Sequence, residues 1–157
     1  MAERDFEAAF DEAFEQDEPP PDSRRGARQL ALQTLYWDTS SPGDMNGAFQ
    51  ELTRRFALSD RVRTFAAELV HSVEEYNQEL EKLIAATALH WKQERIARID
   101  WIILRLALAE ILYLEDIPVR ASINEAVELA KIYSTEQSYA FINGILDAIV
   151  HQKGLAV

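Results

Sequence analysis

The chain contains no cysteine, which removes several classes of function at once. Without cysteine there is no disulfide, no thiolate nucleophile and no cysteine metal site, and a reducing compartment is the expected surroundings. The three histidines, His71, His90 and His151, are not spaced as the ligands of a zinc ion. The sequence therefore predicts neither a bound metal nor a cofactor.

Long apolar runs are also missing. Asp100, Arg105 and Glu110 interrupt the most apolar stretch, which leaves no segment of the ~20 apolar residues that cross a bilayer. The opening MAERDFEAAF is acidic, with neither the basic leader nor the apolar core of a secretion signal. We therefore expect a cytoplasmic protein that does not contact a membrane.

Catalytic patterns are equally scarce. Neighbouring carboxylates occur at Glu74 and Glu75 and at Glu115 and Asp116, but no nucleophile or glycine-rich phosphate loop accompanies them. A length of 157 residues suits one domain with a tail. We expect a protein that is not an enzyme and works by binding other macromolecules.

The charge is distributed very unevenly. The formal net charge is -11, yet residues 1–23 hold nine acids against Arg4 alone, so most of the excess lies in this segment. The run Pro19–Pro21 cannot lie within a helix and marks a boundary. We therefore divide the chain into an acidic N-terminal extension, residues 1–23, and a helical binding domain, residues 24–153.

The acidic extension allows two interpretations. Phe6, Phe10 and Phe14 recur every four residues, a spacing typical of a short docking helix, whereas the acidic composition is typical of a disordered arm. Three arginines follow directly, at positions 24, 25 and 28. The extension is therefore also a candidate autoinhibitor that folds back on them.

From Arg24 onward the apolar spacing is helical and predicts an all-α fold. Ser134 and Gln137 have the spacing of a capping box for the last helix, and Gly144 inside that helix predicts close approach by another backbone. The helix near 95–114 is apolar nearly all round, which is typical of a central helix. The other predicted helices cover about 24–38, 46–57, 59–75, 76–90, 120–133 and 134–151.

The first helix has two unlike faces. Its predicted core stripe is Ala27, Leu30, Ala31, Thr34 and Leu35. The opposite face grades from a basic end to an aromatic end and comprises Arg25, Arg28, Gln29, Leu32 and Tyr36. Arginine binds phosphate through its planar fork, glutamine can bind base edges and tyrosine can stack on a base, so this face is a candidate RNA surface.

A solvated arginine face is the alternative interpretation of that helix. Cations at a helix N-terminus are disfavoured by a few tenths of a kcal/mol, so local helix stability does not account for three of them.

Three segments resemble the NusB family of transcription antitermination factors: RRGARQLALQTLY, RIDWIILRLALAEILYLEDIP and INEAVELAKIYSTEQSYAFINGILD. The resemblance extends from Arg24 to Asp147. It implies a NusB-like fold, in which two roughly perpendicular three-helix subdomains surround a shared central helix, and no enzymatic activity. It also implies a protein partner, NusE, which is a small-subunit ribosomal protein, and an RNA ligand, the single-stranded boxA element of nascent ribosomal transcripts. Through them the family acts indirectly on RNA polymerase, together with other Nus factors, to keep transcription of ribosomal RNA operons processive.

The resemblance also assigns residues to these two surfaces. It places Tyr36 and Asp100 towards NusE. The residues that it places on RNA are Arg24, Arg25, Arg28, Gln33, Lys131, Gln137 and Phe141. The spacing leaves alternatives open at two of the nine: Phe141 shares an arc with core residues, and Asp100 is close enough in sequence to pair with Arg95 or Arg98.

Two positions depart from the family pattern. Trp101 stands where the family commonly has a basic residue, and Gln137 stands where an acid is common. They keep open a protein-only scaffold that binds NusE but not RNA. A ribosomal RNA methyltransferase, in which NusB-like modules also occur, is disfavoured because the chain has no glycine-rich cofactor loop.

Asn124 and Glu125 of the INEA segment could form a polar functional pair, since a helix start exposes donors to a ligand. We instead expect Asn124 to tie neighbouring helices together and Glu125 to be solvated.

Overall fold

The computed structural model describes residues 20–40, 43–91 and 96–157, and across these ranges it contains helices and no strand. The all-α prediction is confirmed. The predictions about Phe6, Phe10, Phe14 and Arg95 lie outside the described residues. The helices are α1 (Arg24–Ser40), α2 (Met45–Arg55), α3 (Asp60–Glu75), α4 (Asn77–Ala88), α5 (Arg98–Tyr113), α6 (Val119–Tyr133) and α7 (Glu136–Gln152), and a 3₁₀ turn, Leu89–Trp91, follows α4.

Two of the helices begin with a side-chain cap. The Asp44 carboxylate accepts a hydrogen bond from the Gly47 backbone N–H at 3.2 Å and so caps α2. Thr135 caps α7 through the Ser138 backbone N–H at 3.3 Å. The predicted capping box of Ser134 and Gln137 is therefore wrong by one residue, because the Ser134 hydroxyl donates to Asp100 instead.

The helices form two groups that share α5. Helices α2 and α3 both pack on α1 around a small apolar cluster, and α4 and α6 both pack on α7. The larger apolar cluster takes residues from all the helices except α2. Helix α5 contacts α1 and α3 of the first group and α4, α6 and α7 of the second. Ten of its residues are buried, which confirms the prediction of a central helix.

Helices α1 and α6 run side by side in the same direction. Arg25 contacts Glu125, and eight residues further along both helices Gln33 contacts Tyr133. Eight residues correspond to about 12 Å of helix. The arginine end of α1 therefore lies beside the start of α6, and we call the line of contact the α1–α6 seam.

The predicted core stripe of α1 is confirmed, since all five of its members are buried. On the opposite face Leu32 was predicted to point outward, and this is wrong because it is completely buried. In α6, Leu129 is buried while Val127 is only half-buried.

Gly144 of α7 faces a side chain, not the predicted backbone. A Cβ atom at this position would collide with the indole ring of Trp91, which lies in the 3₁₀ turn after α4. The missing side chain of Gly144 therefore makes room for an aromatic ring.

Candidate nucleic-acid interface

The three arginines at the start of α1 lie in three different environments. Arg24 is exposed, its guanidinium carbon lies 5.1 Å from the centre of the Phe65 ring, and it makes no ion pair with any described residue. The ring of Phe65 contributes a favourable cation–π contact but leaves the hydrogen-bond donors of Arg24 available. This guanidinium can therefore accept a phosphate without losing an existing partner.

Arg25 forms a two-pronged ion pair across the α1–α6 seam. Its Nε and Nη2 atoms donate to the two carboxylate oxygens of Glu125 at 3.1 and 2.9 Å. The hydrogen bond with Glu125, followed by the charge of that carboxylate, raises the pKa of Arg25. The Arg25 side chain is nevertheless 51% exposed, so the pair lies within reach of a ligand.

Arg28 is buried and its charge is already matched. Its Nε and Nη2 atoms donate to Glu110 of α5 at 2.9 and 2.5 Å, and the two side chains are only 8% and 3% exposed. The hydroxyl of Ser122 on α6 donates to the same carboxylate at 2.8 Å. Arg28 therefore ties α1 to α5 and α6, and no guanidinium face is left for a phosphate.

Glu125 links the exposed Arg25 to the buried Arg28. Besides Arg25 it lies 3.7 Å from Nη1 of Arg28. The hydrogen bond from Arg25 lowers the pKa of Glu125, against the opposing effect of burial. The predicted roles in the INEA segment are thus wrong, because Glu125 ties helices together and Asn124 is exposed.

Gln33 lies inside the α1–α6 seam and is 4% exposed. Its Nε2 atom donates to the hydroxyl of Tyr133 at 3.0 Å, while its Oε1 atom has no hydrogen-bond partner. Burial raises the pKa of Tyr133 to about 12, so its hydroxyl stays protonated at neutral pH. In this structure Gln33 joins two helices and does not face solvent.

Lys131 and Gln137 are both exposed, near the end of α6 and the start of α7. Lys131 pairs with Glu128 at 3.1 Å in an exposed i, i+3 contact. Gln137 has no hydrogen-bond partner among the described residues. Together with Arg24 and Arg25, these two side chains are the predicted RNA residues that a ligand can reach directly.

Phe141 is buried and only 3% exposed. Its ring meets Trp91 edge to face, with ring centres 6.2 Å apart. Of the two interpretations given above, the structure places this ring in the core. A base can stack on it only after Trp91 or the surrounding side chains move.

The two residues assigned to the protein partner also differ in exposure. Tyr36 is half-buried near the C-terminal end of α1 and packs against the larger apolar cluster. Asp100 is buried, and the hydroxyls of Ser134 and Ser138 each donate to it at 2.8 Å. Burial raises the pKa of Asp100, although these two hydrogen bonds act in the opposite direction.

Asp100 was expected to pair with Arg95 or Arg98 if its role were structural. Arg98 is exposed and makes no ion pair with a described residue, while Arg95 lies outside the described residues. The structural role of Asp100 is instead to join the start of α5 to the start of α7 through two serines.

Sequence reasoning missed the carboxylates that face the arginines. Glu110 lies 82 positions after Arg28, and Glu125 lies 100 positions after Arg25. One signal was present: an acid in the middle of the most apolar helix must have a buried partner, because an unpaired buried charge is strongly unfavourable. That signal predicts a cation opposite Glu110 but does not say which one.

Other kinds of site find no support in the described ranges. No cluster of three or more histidine, aspartate or glutamate side chains is arranged to hold a metal ion there. In the same ranges, every helix is too short or too polar to span a membrane.

Comparison with known proteins gives concordant results. Residues 25–151 match the model of the NusB family. The transcription antitermination protein NusB of Geobacter sulfurreducens is 42% identical over 128 residues, which cover 81% of this chain and 93% of the relative. That of Trichlorobacter lovleyi is 39% identical over 126 residues, which cover 80% of this chain and 89% of the relative.

Two solved structures have the same fold. NusB of T. maritima superposes with a TM-score of 0.74 at 29% identity, covering 86% of this chain and 94% of the other. A structure of NusB and NusE in complex with double-stranded RNA superposes with a TM-score of 0.73 at 24% identity, covering 82% and 96%. The second likeness concerns the fold alone.

Proposed function

This chain is a member of the NusB family, and from that premise we propose that it is a transcription antitermination factor that binds boxA-type single-stranded RNA together with NusE. The complex acts on RNA polymerase, with other Nus factors, to keep transcription of ribosomal RNA operons processive. The proposal includes that the protein is cytoplasmic and has no catalytic activity. Its support is the family match and the exposed cations at the start of α1.

The environments of Arg24 and Arg25 carry the RNA part of the proposal. Arg24 makes no ion pair with a described residue that a phosphate would have to replace. Arg25 must exchange Glu125 for a phosphate, but an exposed ion pair of this kind contributes at most about 1 kcal/mol, and a phosphate offers the same two-pronged geometry. Exchanging the carboxylate for a phosphate therefore costs little free energy, and these two arginines are the proposed phosphate ligands.

Arg28 has a different part in this proposal. Separating it from Glu110 leaves a buried carboxylate unpaired, which costs about 3–5 kcal/mol. It therefore acts as a positioning residue that holds the start of α1 against α5 and α6. Gln33 and Phe141 act in the same indirect way, because both are buried.

The path of the RNA follows α6 away from the arginines. Lys131 lies six residues after Glu125, or about 9 Å further along the helix, and its pair with Glu128 is exposed. Gln137 follows at the start of α7. The strand thus runs from Arg24 and Arg25 past Lys131 to Gln137, and its phosphates replace the carboxylates that now face these cations.

The surface for NusE lies near Tyr36, at the other end of α1. A half-buried tyrosine that packs on the core offers a firm contact for a protein partner. Asp100 is buried and supports this surface indirectly, by fixing the start of α7. The RNA path therefore begins at the end of α1 opposite to Tyr36 and leads along α6 towards the Tyr36 end.

A titration of labelled boxA RNA, with and without NusE, tests the proposal. Two weak contacts on the same complex reinforce each other, so we expect NusE to tighten RNA binding, and RNA to tighten NusE binding by the same factor. An RNA of the same length and scrambled sequence is the control.

Two results would contradict the proposal in different ways. If NusE binds and boxA RNA does not bind even to the pair, the chain is a protein-only scaffold. If neither binds, the assignment to antitermination is wrong for this chain.

A further inference from the structure

The segment before α1 joins the folded domain at one fixed corner. A carboxylate oxygen of Asp22 accepts a hydrogen bond from the backbone N–H of Ser59, the residue before α3, at 2.8 Å. The carbonyl oxygen of Pro21 lies against Gly26, where any Cβ atom would collide with it. These two contacts hold residues 21–22 between α1 and the start of α3, so residues 1–19 extend from this place.

Four arginines flank Ser59 in the sequence. We call Arg54, Arg55, Arg61 and Arg63, at the end of α2 and the start of α3, the arginine corner. Residues 51–63 contain these four bases against only Glu51 and Asp60.

Half of the arginine corner has no carboxylate partner within the part of the chain that the structure describes. Arg54 and Arg63 form exposed i, i+3 pairs with Glu51 and Asp60. Arg55 and Arg61 are exposed and make no ion pair with any described residue. Arg24 is a further cation without an ion pair to any residue in the described ranges, and it lies on Phe65 of the same α3.

Residues 1–19 carry the complementary charge, with eight acids against Arg4 alone. The last two acids, Asp17 and Glu18, lie five and four positions before Asp22, so an extended chain brings them within about 18 Å of the anchor. Covalent attachment at a short distance gives an effective concentration in the millimolar range. Each exposed contact is weak and screened by salt, but several act together on one tethered segment.

We propose that residues 1–19 dock on the arginine corner through their acidic side chains. An RNA strand is the other polyanion that fits such a surface, but the attached acidic segment is always present beside it. Because Arg24 lies next to the docked segment, docking also opposes RNA binding, a consequence that rests on the proposed function.

Paramagnetic relaxation in the full-length protein tests the docking itself, in the absence of RNA. The chain has no natural cysteine, so Ala9→Cys provides a single position for a nitroxide spin label. We expect broadening of the backbone amide signals of residues 54–63 at low salt, and its loss at high salt, because screening weakens contacts between exposed charges.

Two charge variants of the labelled protein separate docking from mere proximity. Neutralising the segment by Asp11→Asn, Glu12→Gln and Glu15→Gln, or the corner by Arg55→Gln with Arg61→Gln, should reduce the broadening to its high-salt level. Lys82→Gln with Lys153→Gln, which removes two exposed cations on α4 and after α7, is the matched control and should leave it unchanged.

Broadening that is the same in the corner variant and the control would overturn the proposal. If that variant instead weakens RNA binding without altering the broadening, the corner is an RNA surface and docking of the segment is wrong. Because the labelling experiment uses no RNA, its failure is distinguishable from failure of the proposed function.

Discussion

Three arginines of one helix end have three different roles, because their neighbours differ. Arg24 lies on an aromatic ring and makes no ion pair with a described residue, Arg25 is exposed and pairs with the half-buried Glu125, and Arg28 is sealed in a buried ion pair. The resemblance assigned all three to RNA. The extent of burial distinguishes Arg24 and Arg25, the proposed phosphate ligands, from Arg28, which positions them.

Replacing Arg28 by alanine should destabilise the protein strongly. The change leaves Glu110 buried without its cation, which costs about 3–5 kcal/mol of the free energy of unfolding. Urea unfolding measures this loss. A protein with that loss is expected to fold only partly, so a drop in RNA binding by this variant would not identify a phosphate contact.

Two further variants control the prediction for Arg28. Arg24→Ala should cost less than about 1 kcal/mol, since it removes only an exposed cation–π contact. Arg28→Met combined with Glu110→Leu should recover most of the loss, because it removes both buried charges together. Equal losses for Arg24→Ala and Arg28→Ala would show that the buried ion pair does not matter.

Asp100 should make stability depend on pH in an unusual direction. Burial raises its pKa in the folded protein above the ordinary 3.8, so the folded state binds the proton more tightly than the unfolded state. Its contribution to stability is therefore fully present below the unfolded pKa and is lost as pH rises through the folded pKa. Asp100→Asn keeps the shape of the side chain and removes the titration.

Urea unfolding of both proteins, from about pH 3.5 to about pH 7, isolates the effect of Asp100 as a difference between them. The natural chain should lose stability relative to Asp100→Asn as the pH rises. A difference that grows in favour of the natural chain over this range would contradict the raised pKa.

At the scale of the elements, the helices were largely predictable and their contacts were not. Apolar spacing located the core stripe of α1 and the buried centre of α5, because burial of one face follows from a period of 3.6 residues. The cap of α7 was misplaced by one residue, since Ser134 has a second possible partner, Asp100, on another helix. Spacing also placed Leu32 on the outer face of α1, whereas it is completely buried in the larger apolar cluster.

The contact of α7 with the turn after α4 gives a prediction at this scale. Gly144→Ala gains about 1 kcal/mol in helix propensity but brings a methyl group into the Trp91 ring. We expect a net loss of stability, because a collision of this kind typically costs 1–3 kcal/mol. Thermal or urea unfolding of the single variant measures it.

The background Trp91→Ala is the matched control for Gly144→Ala. Without the indole ring only the gain in propensity remains, so the same glycine substitution should there stabilise the protein by up to about 1 kcal/mol. A loss of similar size in both backgrounds would mean that Trp91 is not the obstacle.

At the scale of the whole molecule, the charges form a pattern that net charge conceals. The acidic residues 1–19 precede Asp22, which is bound to Ser59 beside the arginine corner, and Arg25 of α1 contacts the carboxylate of Glu125 on α6. The resemblance of three sequence segments to the NusB family predicted the fold and the class of partner. The carboxylates opposite Arg25 and Arg28 were beyond sequence reasoning, because they are 100 and 82 positions away and meet the arginines only through the packing of α1 on α5 and α6.

The central claim is that Arg24 and Arg25 bind phosphates of an RNA strand, and the salt dependence of RNA affinity in the presence of NusE measures it most directly. Each phosphate contact with a single strand contributes about 0.7 to the slope of log affinity against log salt. For Arg24→Gln combined with Arg25→Gln the account predicts weaker binding and a slope smaller by about 1.4. Lys82→Gln with Lys153→Gln removes the same charge elsewhere and should leave the slope unchanged. If the two folded variants show the same slope, these arginines do not bind the RNA backbone and the account is contradicted.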